Sequence, residues 1–181
     1  MKNKFIKISV AFLLLLSLAY PTFVFLFFST IRIEHLISDA CQSHYGHIRK
    51  LVIYYIKRTD KIFRPSNYPV TLLTYTLNGY GVTPNDPEKI LQVAEILLQR
   101  GLNINEIGPS GGTALHSAVI LNQPELVKFL LKHKADRTIG QKILKGHPMN
   151  GKNPLQVAQW LQKNSKTGVD YSEVISLLQQ R

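Results

Sequence analysis

The sequence predicts an all-α chain: an N-terminal transmembrane helix followed by a stack of short helix pairs. Three observations carry this. An uncharged run occupies 8–31 and is long enough for one helix to cross a hydrocarbon core. Past residue 67, short apolar segments open on Thr, Asn or Pro and come in twos. Two of the second segments repeat at a fixed spacing, with Leu97 and Leu98 falling 33 positions before Leu130 and Leu131.

Residues 1–7 form a basic flank through Lys2, Lys4 and Lys7. The run 8–31 includes Phe12-Leu13-Leu14-Leu15-Leu16 and Phe23-Val24-Phe25-Leu26-Phe27-Phe28, with Pro21 as a tolerated kink. Just beyond it stand only Arg32 against Glu34 and Asp39. The positive-inside rule therefore places the N-terminus in the cytoplasm and everything after Arg32 across the membrane. A cleaved secreted form is the competing reading, because Ser17-Leu18-Ala19 offers a small-residue cleavage pattern. Cleavage there would leave an apolar new terminus at Tyr20, so the uncleaved anchor is preferred. Inverted insertion is the third reading, favoured by Arg49, Lys50, Lys57, Arg58, Lys61 and Arg64.

The net charge of +11 is concentrated at the front, where residues 1–67 hold ten basic and three acidic side chains. Residues 32–67 read as a basic helical linker or a degenerate capping repeat, and the sequence leaves the two open. Ile48, Leu51, Val52, Tyr55 and Ile56 fall at helical spacing with the charges opposite. A lone Cys41 excludes an internal disulfide framework and fits a small buried apolar residue.

The most specific stretch is central. Gly111-Gly112-Thr113-Ala114-Leu115-His116-Ser117-Ala118-Val119 gives a turn and a capped short helix. Pro124-Glu125-Leu126-Val127-Lys128-Phe129-Leu130-Leu131 gives a second helix, and Ala135-Asp136 its polar exit. This block resembles an ankyrin repeat: Thr113 to Ala118 stands where the family has Thr-Pro-Leu-His-x-Ala, with Ala114 for Pro. The resemblance implies structural roles for Thr113, Leu115, His116 and Ala118, and a helix-ending role for Gly101 one period earlier. It covers 68–181 as repeats at about 68–106, 107–139 and 149–181. The first pairs Thr71–Leu77 with a helix through Ala94–Gln99 across an insert at 78–86. The last restores Asn153-Pro154-Leu155-Gln156-Val157-Ala158 and pairs it with Ser172–Leu178 across an insert at 164–170. Between the second and third repeats, 139–150 is long enough to project as a finger carrying Lys142, Lys145 and His147.

The resemblance implies binding through the exposed side of the first helices and the fingers. Aligned on the central repeat, Tyr75, Ser117 and Val157 form one expected exposed stripe, and Asn78, Ile120 and Trp160 the next. Trp160 and Tyr75 are the hot-spot candidates, Trp160 having a cap-packing role as its alternative. Lys142 and Lys145 would steer a partner with an acidic surface. Catalysis is not expected, since His116 sits in a structural signature and no nucleophile, base and orienter converge. His35, His44 and His47 lack a ligand pattern, so no metal is expected, nor any cofactor, nucleic acid or small-molecule substrate. The expected partners are another protein and, through 8–31, the lipid bilayer. The Lys- and Asn-rich layout looks bacterial, which puts the repeats in the periplasm. There the domain would act as a toxin-neutralising immunity protein or, alternatively, as a scaffold in an envelope assembly.

Overall fold

The computed structural model describes residues 22–23, 25–42, 46–63, 69–165 and 168–180. The basic flank 1–7 and most of the expected span 8–31 lie outside the described residues, as do His44 and the His47 side chain. Among the described residues no helix is long and apolar enough to cross a membrane.

From Ile33 on, the described residues form eight helices in four pairs: α1 Ile33–Cys41 with α2 Gly46–Ile56, α3 Leu72–Asn78 with α4 Pro87–Gln99, α5 Ala114–Ile120 with α6 Pro124–Lys132, and α7 Pro154–Asn164 with α8 Ser172–Gln179. A 3-10 turn at Asp60–Phe63 closes the first pair. Within each pair the helices pack on one another. The first helices α1, α3, α5 and α7 stack as one row, and α6 meets α8 in the second row. Helices α1 and α2 thus pack on one another at the head of the stack, with α1 against α3 and α4.

Local chemistry explains the boundaries. Asp86 caps α4 by accepting from the Glu88 amide at 3.0 Å, with Pro87 at the first helical position, where its missing N–H costs nothing. Thr71 caps α3 by accepting from the Thr74 amide at 3.2 Å. Two of the second helices end in the same motif. The Leu102 amide donates to the Leu97 carbonyl and Gly101 to Leu98, while Ala135 donates to Leu130 and Lys134 to Leu131. That motif needs a left-handed residue, and Gly101 and Lys134 have φ of 92° and 65°. Gly101 takes this conformation with a glycine's freedom, whereas Lys134 takes it without.

One apolar core runs through the stack from Leu36 and Ile37 to Val174 and Leu178. Cys41 is free and buried in it, and burial pushes its thiol up to about 12, so it behaves as a small hydrophobe. Polar stitches cross each seam. Arg49 donates to Gln92 Oε1 at 2.7 Å, Glu95 meets His133 Nε2 at 2.8 Å, and Lys128 bonds Glu173 at 2.9 Å. Residues 25–29 form a helical segment at the head of the stack, whose Phe28 is buried in the same core.

Candidate binding face and fingers

The first-helix row is built on three repeated caps. In α3 the Thr71 hydroxyl donates to the Thr74 hydroxyl at 2.9 Å. In α7 the Gln156 amide donates to Asn153 Oδ1 at 2.9 Å, and the Gln156 side chain accepts from the Asn153 amide at 3.0 Å. In α5 the Thr113 amide donates to His116 Nδ1 at 3.2 Å, with the Thr113 hydroxyl 2.9 Å from the same nitrogen. An accepting Nδ1 leaves the ring proton on Nε2, which lies 3.3 Å from the Lys152 carbonyl and donates to it. His116 therefore ties the start of α5 to the loop that leads into α7. Its ring is fully buried, and burial pulls its pKa below the ordinary histidine value, keeping it neutral. Leu115, Ala118 and Thr113 are buried beside it.

The caps also set which residues face outward. Tyr75, Asn78, Ser117 and Trp160 are half-buried and Ile120 is exposed along the row. Val157 corrects the expected stripe, because it has no exposed surface at all. The reason lies in α7 itself: Pro154, Val157, Ala158 and Leu161 recur at spacings of three and four, making one apolar stripe that turns Val157 into the core. Leu155 is correspondingly only half-buried where Leu115 is buried. Between α1 and α3 opens a cleft of about 220 Å3, with Tyr75 and Asn78 on one wall and Ile37, Ser38 and Cys41 on the other.

The finger is an ordered hairpin. The Gln141 amide donates to the Lys152 carbonyl at 2.9 Å and the Gly151 amide to the Gln141 carbonyl at 2.8 Å. Its tip turns through the His147 amide and the Leu144 carbonyl at 3.0 Å, while Asn150 Oδ1 accepts from the Ile143 amide. The Lys142 amide donates to the Gly111 carbonyl, fastening this finger to the preceding turn. A Cβ on Gly111 would lie 2.2 Å from the Lys142 carbonyl oxygen, so the position has room only for glycine. Lys142 and Lys145 are exposed.

Sequence reasoning missed Leu144, which is 83 % exposed at the tip between those two lysines. It also missed Leu121, exposed next to Ile120 at the end of α5. The available signal was a leucine in a polar segment without helical or alternating neighbours, which therefore has no core to enter. Among the described residues no group of three or more His, Cys, Asp or Glu side chains could hold a metal ion. Chemically, the face offers aromatic and aliphatic contacts, amides and two cations.

Stacked helix pairs linked by a hairpin finger define a repeat protein whose surface is made for binding other proteins. Residues 88–171 match the family model "Ankyrin repeats (3 copies)". The chain is 33 % identical over 115 residues to glycerophosphocholine phosphodiesterase gde1 of Schizosaccharomyces pombe, covering 64 % of this chain and 8 % of that protein. It is 39 % identical over 62 residues to ankyrin repeat and SOCS box protein 6 of Mus musculus, covering 34 % of this chain and 15 % of the relative. The human counterpart is 37 % identical over the same length. The chain thus spans less than a sixth of the length of these relatives.

Proposed function

We propose that this chain is a membrane-anchored ankyrin module that binds a partner protein on the non-cytoplasmic side, through its first-helix row and finger, without catalysis. One observation carries the reading: Leu144 stands exposed between Lys142 and Lys145 on a hairpin too well hydrogen-bonded to collapse onto the core. An apolar tip with a cationic rim suits a partner with an apolar pocket ringed by acids. Tyr75, Ser117 and Trp160 extend that contact along the row. The phosphodiesterase activity named for gde1 is not carried over, since the shared length is a small fraction of that enzyme.

Neutralisation of a delivered toxin is the specific form we favour, with the uncharged run 8–31 as the anchor and Lys2, Lys4 and Lys7 on its cytoplasmic side. A scaffold in an envelope assembly is the second reading. The observation on its side is the contact of Phe25 and Phe28 with Tyr55, which fixes the stack against the end of the apolar run. A neutraliser needs no such fixed joint.

The test pairs topology reporters fused after Arg181 with photo-crosslinkers placed at Leu144, Trp160 and, as a second-row control, Lys128. Activity of the outside reporter, with crosslinks from 144 and 160 to one protein and none from 128, is the expected result. An active inside reporter sinks the exported reading, and equal crosslinking from 128 sinks the assigned face. Moving residues 25–181, which keep Phe28 in the core, onto a cleavable signal peptide then separates the two forms: neutralisation survives the transfer and scaffolding does not.

A further inference from the structure

The head of the stack carries a second exposed surface, distinct from the row and finger. Phe23 and Leu26 are 66 % and 65 % exposed, and Phe25 and Phe27 are exposed beside them. They do not dangle. Phe25 packs on Tyr55 with ring centroids 5.0 Å apart, Phe28 on the same ring at 5.7 Å, and Phe28 enters the core. Lys61 Nζ bonds the Ser29 and Ile31 carbonyls, closing the end of the helical segment with a cation where its dipole is negative. The apolar segment is therefore the first packed piece of the stack.

On the neighbouring helix α2 and the turn that continues it, Lys50, Tyr54, Lys57 and Arg58 are all exposed. Their spacing of four, seven and eight places them on one outward face. The Arg58 guanidinium lies 3.7 Å from the centre of the Tyr54 ring, and Tyr54, Phe25 and Leu26 line one open apolar groove. No acidic residue occurs from 40 to 59, and Asp60 is engaged by Arg100 at 3.5 Å. Aromatic rings beside unneutralised cations, at the end of an uncharged run, are the residue types that settle where acyl chains meet anionic headgroups.

We infer that this head surface seats on an anionic lipid bilayer, with Phe23, Leu26 and Phe27 in the acyl boundary and Lys50, Lys57 and Arg58 on the headgroups. The inference rests on the reading of 8–31 as an anchor and adds that the ankyrin stack is held against the membrane by its first pair. Charge selects this occupant over the others. A second copy would set like charges against one another, and residues 8–21 of the same chain carry nothing to pair with three cations.

The single tryptophan makes the test direct, because Trp160 lies on α7, far along the stack from α2. The full chain is reconstituted in vesicles of phosphatidylglycerol and phosphatidylcholine with brominated acyl chains, as wild type and as a Tyr54→Trp, Trp160→Phe variant. Flotation with strong quenching at position 54 and none at position 160 is the expected result. Replacing Lys50, Lys57 and Arg58 by Gln should leave flotation intact and relieve the quenching. Each cation removed should lower the docked-to-undocked ratio about fivefold, the equivalent of ~1 kcal/mol. Flotation without quenching at 54 overturns the seating alone, leaving the groove to residues 8–21 or a second copy. Loss of flotation in the wild type overturns the anchor and the seating together.

Discussion

In α5 the residue after the capping histidine, Ser117, lies half out of the core, whereas in α7 the corresponding Val157 is fully buried. The position before the cap shifts in the opposite sense: Leu115 is buried and Leu155 half-exposed. Both helices nevertheless start with a reciprocal cap, built on His116 in one and Gln156 in the other. The backbone's unpaired N–H groups favour such a cap at the start of α3, α5 and α7, whereas α1 starts after Arg32 without one. Which residue meets the solvent is decided separately, by the apolar stripe of each helix.

The largest effect that would test this division is a pair of truncations. Leu115→Ala empties a fully packed site and should cost about 2–5 kcal/mol. Leu155→Ala, at a half-exposed site, should cost less than half as much. The midpoint of chemical denaturation, followed by circular dichroism on the full chain, measures both. Equal losses would mean that the two helices are oriented alike and that the distinction drawn between them is mistaken. A swap sharpens the same point. Val157→Ser places a hydroxyl in the core and removes apolar packing, for a loss on the order of 2–3 kcal/mol. Ser117→Val should change stability by less than about 0.5 kcal/mol and affect only the binding face.

These two positions also show how far the sequence could be read. The pairing of helices, the caps at Thr113 and Asn153, and the inserts at 78–86 and 164–170 were legible because each rests on a local backbone requirement. The face was legible only where a helix keeps the register of the central repeat, as at Tyr75 and Ser117. At Val157 an alignment of caps could not see that Pro154, Val157 and Leu161 form a stripe of their own. Leu144 escaped for the opposite reason, since a finger has no periodicity and its exposure depends on the hairpin bonds of Gln141, Asn150 and Gly151. The first pair was half visible: α2 shows a helical spacing that already sets Tyr55 and Ile56 on its apolar face, but no motif announces that this face packs on α1.

The two caps differ in how they respond to acid. His116 is buried and neutral, with its pKa held below the ordinary value, whereas an unfolded chain leaves it near 6.5. The unfolded state therefore binds the extra proton first. The full contribution of this residue is present above about pH 6.5 and is lost progressively as the pH falls from there through the folded-state pKa. His116→Gln copies the cap of α7, so it should flatten that part of the stability profile while costing about 1 kcal/mol in the lost bond to Lys152. His116→Ala should flatten it too but cost about 1–2 kcal/mol more, because the cap goes with the ring. A profile whose slope survives His116→Gln would assign the acid sensitivity to another group.

The smallest expected effect concerns the helix ends, where two repeats solve one problem with different residues. Gly101 and Lys134 occupy the same left-handed position and their neighbours make the same pair of bonds. A side chain held there crowds its own carbonyl, at a cost of about 1 kcal/mol that glycine escapes. Glycine also frees the unfolded chain, which offsets part of the gain. Lys134→Gly should therefore stabilise the stack by a few tenths to about 1 kcal/mol, and Gly101→Lys should destabilise it by a similar amount. Nothing lies within 4 Å of a Cβ built at Gly101, so a loss there reports backbone strain and not a clash. If both changes prove neutral, the tertiary contacts of Leu102 and Ala135, and not the left-handed residue, determine where these helices stop.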